Sequence, residues 1–268
     1  MNQRTRLPVF ITILLLSTVF YACNDGKVNV FSVNDDIALG EQITEEILNN
    51  PEEFPILDRN QHPEAYAYVE RIRDEILSSD DIRYRDRFSW DIYIIDKDVF
   101  NAFALPGGNT FYYTGLMKFV DNEASLAGVI AHELAHSDRR HSTNRLTKIY
   151  GFQIVASLLL GNNPNLVQQI LSDLALTTTA LAFSRQDEFE ADEFAVRYLY
   201  PTEIDSRGVA YFFEKMDADA PPNWMVYFST HPPSPDRIEA VHELHENLGG
   251  KPGNLFEDRY QEFLNLLP

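Results

Sequence analysis

The chain has 268 residues, of which 44% are hydrophobic and 12% aromatic, and its formal net charge at pH 7 is −19. This composition is typical of a globular protein and excludes a largely disordered chain. The length suits one sizeable domain. The negative charge argues against a nucleic-acid partner, because a phosphate backbone would be repelled. The single cysteine, Cys23, excludes an internal disulfide.

The N-terminus is typical of an export signal. Two arginines precede an uncharged run over residues 7–22, which ends on the small residue Ala22 immediately before Cys23. The run is shorter than the about 20 residues that a transmembrane helix needs. A lone cysteine at this point resembles the lipidation site of bacterial lipoproteins, and an ordinary signal peptide cut nearby is the alternative.

These observations predict the domain organisation and the location. Residues 1–22 are the expected export signal, 23–34 a tether and 35–268 a single domain. The protein is then expected to be exported to the periplasm, where a lipid on Cys23 would provide membrane contact with the bacterial envelope.

The first half of the domain is predicted to hold two helices and a small antiparallel sheet. The spacing of apolar residues predicts helices over 35–49 and 63–78. Alternating aromatic and β-branched residues predict three strands, over 88–95, 99–105 and 110–114. The sequence Pro-Gly-Gly-Asn at 106–109 is typical of a hairpin turn between the last two strands.

Everything after Asn122 is predicted to be helical, in pieces separated by glycine and proline. Two apolar pieces, 150–160 and 166–183, are interpreted as a helical hairpin of the domain rather than a membrane pair. The second piece carries Asp173, two glutamines and several threonines, which are costly in lipid. The expected fold class is therefore α+β and mainly α.

Residues 132–136 read His-Glu-Leu-Ala-His. On a helix, residues four apart lie on one face, so His132 and His136 can bind the same ion. Glu133 can hold and deprotonate a water that the metal activates. The pattern is short enough to occur by chance, and the alternative is an amphipathic surface helix with solvated charges.

A catalytic zinc site takes three protein ligands and leaves a fourth position for water. Glu188 and Asp192 lie four residues apart on a later predicted helix. Glu188 is a candidate carboxylate ligand. Asp192 is a candidate acceptor for the free ring N–H of His132 or His136, as carboxylates beside metal sites often are. The alternative is an acidic helix face, which is common in so acidic a chain.

Four segments, in this order, resemble the zinc peptidase family of HtpX and the CAAX prenyl proteases over roughly residues 36–247. The segments are 101–108 with 115–116, 132–141, 184–192 and 230–237. The resemblance implies a zincin-like domain, with a small antiparallel sheet beside the active-site helices, and one Zn²⁺ per chain held by His132, His136 and Glu188. It favours the exported branch of the family, which includes BepA, LoiP and the mitochondrial protease Oma.

The same resemblance places His231 near the metal. There it can stabilise an oxyanion, or occupy the fourth zinc position and hold the enzyme idle; a loop histidine that caps a turn is the alternative. Arg237 is predicted to anchor the site through a carboxylate such as Asp192. His141, five residues beyond His136 and rotated well around a continuous helix, is interpreted as a structural histidine.

The expected function is therefore that of a zinc endopeptidase acting on misfolded or damaged proteins of the bacterial envelope, with Glu133 as the base. A strand within 99–105 or 110–114 can pair with the backbone of an extended substrate. The alternative is a zinc-bearing, chaperone-like protein that holds clients without cutting them. The intact Glu133 argues against this alternative.

Overall fold

The computed structural model describes residues 29–159, 168, 182–221, 224–232 and 235–268. The predicted export signal and Cys23 lie outside these ranges, as does most of the second apolar piece of the predicted helical hairpin. Within the described ranges, no helix has the length and apolarity needed to cross a bilayer.

Helices dominate the described residues, and the single small sheet lies in the first half of the chain. The elements are α1 (Val33–Leu48), α2 (Pro63–Leu77), β1 (Ile92–Ile95), β2 (Ala102–Ala104), β3 (Thr110–Tyr113), α3 (Thr114–Phe119), α4 (Glu123–Asp138), α5 (His141–Leu159), α6 (Arg185–Leu199), α7 (Gly208–Asp219), α8 (Met225–Thr230), α9 (Pro235–Asn247) and α10 (Glu257–Leu264). The predicted class, α+β and mainly α, is confirmed.

The three strands have the order β1-β3-β2. β2 and β3 are antiparallel, with Ala102 opposite Tyr112, and the predicted turn at 106–109 joins them. β1 runs parallel to β3, with Ile92 opposite Thr110. The sheet is therefore mixed, where the sequence predicts an antiparallel one. The reason is that the chain passes from β1 to the outer strand β2 before the hairpin returns β3 between them.

The first strand begins at Ile92, four residues later than predicted. Trp90 has a φ of 57°, in the left-handed region, and a strand cannot continue through that conformation. The Ser89 N–H donates to Gly107 O, which ties this bend to the turn between β2 and β3. Thr114, predicted to end the third strand, begins α3 instead.

α4, the helix that carries the His-Glu-Leu-Ala-His sequence, lies at the centre of the fold. All its residues are buried, and it packs against α6, α7 and β2. Two glycines allow the close approach of α4 and α7: a Cβ built on Gly208 would lie 1.8 Å from Ala124 O, and one on Gly128 would lie 2.2 Å from Val209 N. The predicted site is thus built on the most enclosed helix of the domain.

Buried carboxylates fix both ends of α4. Glu123, in its first turn, is paired with one tyrosine and two arginines: Tyr68 Oη at 2.6 Å, Arg71 Nη2 at 2.7 Å and Arg259. Asp138, its last residue, accepts two backbone N–H groups and one hydroxyl: Arg83 N and Tyr84 N at 2.9 Å each, and Tyr198 Oη at 2.7 Å. Because these partners come from distant segments, the helix is held at a fixed position.

Candidate metal centre

The three predicted ligands lie together in the core. Nε2 of His132 and Nε2 of His136 are 3.0 Å apart, because the two residues are one turn apart on α4. α6 brings Glu188 alongside, with Oε1 at 3.5 Å from His136 Nε2 and Oε2 at 3.6 Å from His132 Nε2. All three side chains are buried.

His231, the residue that follows α8, is the fourth member of this cluster. Its Nδ1 lies 3.3 Å from His132 Nε2 and 3.2 Å from Glu188 Oε1. Its other ring nitrogen, Nε2, lies 3.5 Å from Glu133 Oε1. One ring therefore reaches both the ligand cluster and the predicted base.

The spacing of these donor atoms fits zinc. Tetrahedral zinc binds imidazole nitrogen and carboxylate oxygen at about 2.0–2.2 Å, so neighbouring donors should lie about 3.3–3.6 Å apart. The distances among the four candidate ligands given above run from 3.0 to 3.6 Å. The four candidate donor atoms all lie within 4.8 Å of one another, so they are close enough to share one ion.

The charge of the cluster also fits a dication. Glu133, Glu188 and Asp192 are buried together, and the buried Arg237 contacts Glu188 and Asp192 but is not paired with Glu133. Neither oxygen of Glu133 has a hydrogen-bond partner among the described residues. Buried, uncompensated negative charge is costly, and a divalent ion would balance it.

Asp192 and Arg237 support the cluster from behind. His132 Nδ1 lies 2.9 Å from Asp192 Oδ1, so of the two histidines proposed as its partner, Asp192 contacts His132. Arg237 donates to both oxygens of Asp192, and its Nη1 lies 2.7 Å from Glu188 Oε2. One guanidinium thus holds two carboxylates of α6 that are one turn apart.

Burial and neighbouring charges set the protonation of the cluster. Burial lowers the pKa of His136 well below its usual value, which keeps it neutral and able to bind a metal. Burial alone would raise the pKa of Glu188, but the charges of Arg237 and His231 hold it well below its usual range. Burial raises the pKa of Glu133, the predicted base.

The family is decided by a match over most of the chain. Residues 57–245 match the model of peptidase family M48. The chain belongs to this family. The predicted resemblance is therefore confirmed. Metallopeptidases of family M48 use zinc, and the buried His/Glu cluster could hold one such ion.

Curated relatives include mitochondrial and bacterial proteases. The chain is 29% identical to the mitochondrial metalloendopeptidase OMA1 of Schizosaccharomyces pombe over 184 residues, which cover 68% of this chain and 53% of the relative. It is 32% identical to OMA1 of Arabidopsis thaliana over 157 residues, 57% of this chain and 31% of the relative. It is 29% identical to the β-barrel assembly-enhancing protease of Escherichia coli strain K12 over 164 residues, which cover 58% of this chain and 32% of the relative. The chain thus spans about half or less of these relatives.

Two aromatic rings complete the M48 site and were not predicted. Tyr227 stacks on His231, with ring centroids 4.6 Å apart and an interplanar angle of 14°. Phe183 stacks on His136 at 3.8 Å and 26°. Tyr227 precedes His231 by four residues, a helical spacing that could have suggested the pair. The sequence holds no comparable signal for Phe183, which comes from the segment before α6.

Proposed function

We propose that this chain is a zinc endopeptidase that hydrolyses peptide bonds in misfolded or damaged proteins of the bacterial envelope. The position of Glu133 carries the proposal. Glu133 lies on the central helix α4, beside the four candidate ligands. Its oxygens have no hydrogen-bond partner among the described residues, and Oε1 lies 3.5 Å from His231 Nε2. A site that only stored zinc would have no use for a buried carboxylate whose oxygens accept no hydrogen bond.

The residues present can perform peptide hydrolysis. When bound, zinc would polarise the scissile carbonyl and lower the pKa of water. His132, His136 and Glu188 would hold it. Glu133 would accept the proton of the attacking water as the new C–O bond forms, and would return that proton to the amine as the C–N bond breaks. The raised pKa of Glu133 makes this carboxylate a stronger base toward the proton of the water.

His231 is proposed to close the site in the conformation described here. Its Nδ1 lies 3.3 Å from His132 Nε2 and 3.2 Å from Glu188 Oε1, which are distances expected between donor atoms that bind the same ion. Four protein ligands leave no position for water, which is the pattern of a structural zinc site rather than a catalytic one. Activity then requires that the His231 ring move away. The enzyme is therefore latent until a substrate or partner displaces this ring.

The outer edge of β2 is the proposed site for substrate backbone. β3 is the central strand, and the outer side of β1 already pairs with residues 55–57, since Leu57 N–H donates to Ile94 O at 2.8 Å. Of the two strands that the sequence left open for this role, β2 is therefore the one at a sheet edge.

The register of β2 leaves the backbone groups of two buried residues unpaired with β3. Leu105 N–H donates to Asn109 O, so Leu105 and, by alternation, Phe103 face β3. The backbone groups of Ala102 and Ala104 then point away from β3, beside α4 and the start of α5, where Ser142 Oγ lies 3.5 Å from Ala104 O. A strand added there would be read through its main chain, which suits unfolded substrates of varied sequence.

The proposed location is the periplasm, with the chain anchored to a bacterial envelope membrane by a lipid on Cys23. The basic start, the short apolar run and the position of Cys23 support this proposal. Cys23→Ala should move the protein from the membrane fraction to the soluble periplasmic fraction. An unchanged distribution would favour an ordinary signal peptide.

The test of function compares four zinc-loaded proteins with casein as an unfolded substrate: wild type, His231→Ala, Glu133→Gln and the double variant. We expect His231→Ala to cleave casein, and Glu133→Gln to reduce cleavage in both backgrounds by about 10²–10⁴-fold while zinc stays bound. Cleavage that survives Glu133→Gln would overturn the mechanism.

The second candidate function is a zinc-bearing protein that holds clients without cutting them. The closed set of four ligands favours it, because such a set is typical of structural zinc. It predicts that casein binds to wild type and to His231→Ala but keeps its length in both. The four-protein comparison therefore separates the two functions.

A further inference from the structure

His141, the first residue of α5, contacts a candidate zinc ligand. Its Nδ1 lies 3.0 Å from Nδ1 of His136, and the two ring centroids are 5.0 Å apart at an interplanar angle of 76°. Both side chains are buried. His136 presents its other nitrogen, Nε2, to the ligand cluster, so His141 lies on the side of the ring away from the proposed metal.

A break between α4 and α5 brings His141 to this position. On a continuous helix, His141 would lie about 140° around the axis from His136, and the two rings could not meet. Arg140 has a φ of 58°, in the left-handed region, which ends α4 and redirects the chain. Asp36 and the carbonyl oxygen of Phe31 hold Arg140 there, at 2.5 and 2.6 Å. The interpretation of His141 as rotated away from His136 was therefore wrong.

The contact fixes which ring nitrogens carry protons. If Nε2 of His136 binds a metal, its Nδ1 must carry the hydrogen, and Nδ1 of His141 must accept it. The hydrogen of His141 is then on Nε2, which lies 3.4 Å from Glu190 Oε2 and 3.9 Å from Asp187 Oδ1. Glu190 in turn accepts from Arg139 Nε at 2.9 Å.

We propose that His141 is a positioning residue for the zinc site: it accepts the Nδ1–H of His136 and so fixes the tautomer and orientation of that ligand. Asp192 does the same for His132, from a different helix and with a carboxylate. The stack of Phe183 on the face of His136 fixes the remaining rotation of the ring. This proposal rests on the zinc site of the proposed function, but not on peptidase activity.

Three substitutions of His141 separate a positioning role from a packing role. Asn places an amide oxygen near the position of the His Nδ1 acceptor, Gln places its amide near the position of Nε2 instead, and Leu fills similar space without an acceptor. The measurements are the zinc dissociation constant by competition with a chromophoric chelator, the visible spectrum of the Co²⁺-substituted protein, and the melting temperature of the metal-free protein.

We expect His141→Asn to bind zinc within about threefold of wild type, and His141→Gln and His141→Leu to bind about 10–100-fold more weakly, since loss of a partner behind a metal ligand typically has that effect. The Co²⁺ bands should shift in the Gln and Leu variants and not in the Asn variant. Equal zinc affinity in all three, with melting temperatures that differ, would overturn the proposal and leave a purely structural role.

A second pair of variants avoids the core and so guards against misfolding. Glu190→Ala, at a partly exposed position, removes the carboxylate that lies nearest His141 Nε2 and should weaken zinc binding by about three- to tenfold, because it acts on the metal ligand only through His141. The control is Glu193→Ala on the same helix, where Glu193 pairs with Arg197 at the surface. This variant should leave the affinity for zinc unchanged. Equal effects of both would count against the proposal.

Peptidase activity is measured separately. Suppose that the zinc affinities of wild type and variants follow the expected order but that wild type cleaves nothing. This result would refute the proposed function and support this role of His141. A wild-type protein that binds no zinc would overturn both.

Discussion

Arg237 Nη1 lies 2.7 Å from Glu188 Oε2, so the carboxylate that faces the metal ligands is also paired with a buried cation. The same guanidinium donates through Nε and Nη2 to Asp192, the partner of His132. Two of the three predicted metal ligands are thus oriented, directly or through Asp192, by one side chain from α9. The planar fork of arginine makes this double contact possible, and a lysine could not reproduce it.

Arg237→Met should therefore damage both the fold and the metal site. It leaves Glu188 and Asp192 buried without their cation, and we expect the metal-free protein to lose about 3–5 kcal/mol in its free energy of unfolding. Zinc affinity should fall by about 10–100-fold. Denaturant titration and chelator competition measure the two effects. Arg197→Met, which removes a half-buried arginine of α6 paired with the exposed Glu193, is the matched control, and its effect should stay within about 0.5 kcal/mol.

The same pairing predicts a dependence of stability on pH. Although burial acts in the other direction, Arg237 holds the pKa of Asp192 and that of Glu188 below their usual values. A lowered pKa in the folded state gives stability that is fully present above the unfolded pKa, about 4, and is lost as the pH falls toward the folded pKa. The metal-free wild type should thus lose stability steeply below pH about 4. Arg237→Met should show a shallower loss; equal slopes would contradict the assigned pairing.

His231→Ala tests the closed state of the site through zinc release. Removing one of four donors should let a chelator extract zinc faster, while the peptidase rate rises because the fourth position becomes available to water. Stopped-flow chelation and a casein assay give the two rates. If the peptidase rate instead falls by about 10²–10³-fold with zinc retained, His231 stabilises the oxyanion rather than closing the site.

The sequence predicts much of this site because helical spacing is local information. His132 and His136 are four residues apart, as are Glu188 and Asp192, so each pair shares a helix face wherever the helix packs. The approach of the two helices depends on tertiary packing. No spacing rule gives the 3.2 Å contact between His231 and Glu188, because a loop of unknown course carries one of the partners.

The elements that sequence reasoning missed have a common cause. Trp90 and Arg140 both have φ near 57°, a conformation that non-glycine residues rarely adopt and that no local pattern predicts. Contacts from far along the chain hold Arg140 in place, and Asp36 is the clearest of them. These two bends shorten the first strand and bring His141 to His136, so the errors lie where tertiary contacts override local preference.

Glu123→Gln should test how strongly the central helix is anchored. Glu123 is buried and paired with Arg71, Arg259 and the Tyr68 hydroxyl, so the neutral amide removes the carboxylate charge from both ion pairs, although Arg71 keeps Glu75. We expect a loss of about 1–2 kcal/mol in the free energy of unfolding, because the arginines left behind are partly solvated, with little change in zinc affinity. The matched control is Glu75→Gln, at the half-buried second partner of the same Arg71, with an effect of about 0.5 kcal/mol or less. Similar losses in both variants would show that burial of Glu123 contributes little.

Ala104→Pro should test the outer edge of β2 as the substrate strand. Proline removes an N–H that faces away from β3, and proline is tolerated on an edge strand where the N–H is not used by the ladder. The variant should therefore fold and bind zinc while its KM for casein rises by about tenfold, the equivalent of one lost hydrogen bond of about 1.4 kcal/mol. Ala104→Val keeps the N–H and adds comparable bulk, so it should leave KM nearly unchanged. If both variants raise KM equally, bulk rather than backbone pairing is responsible, and substrate does not add to this edge.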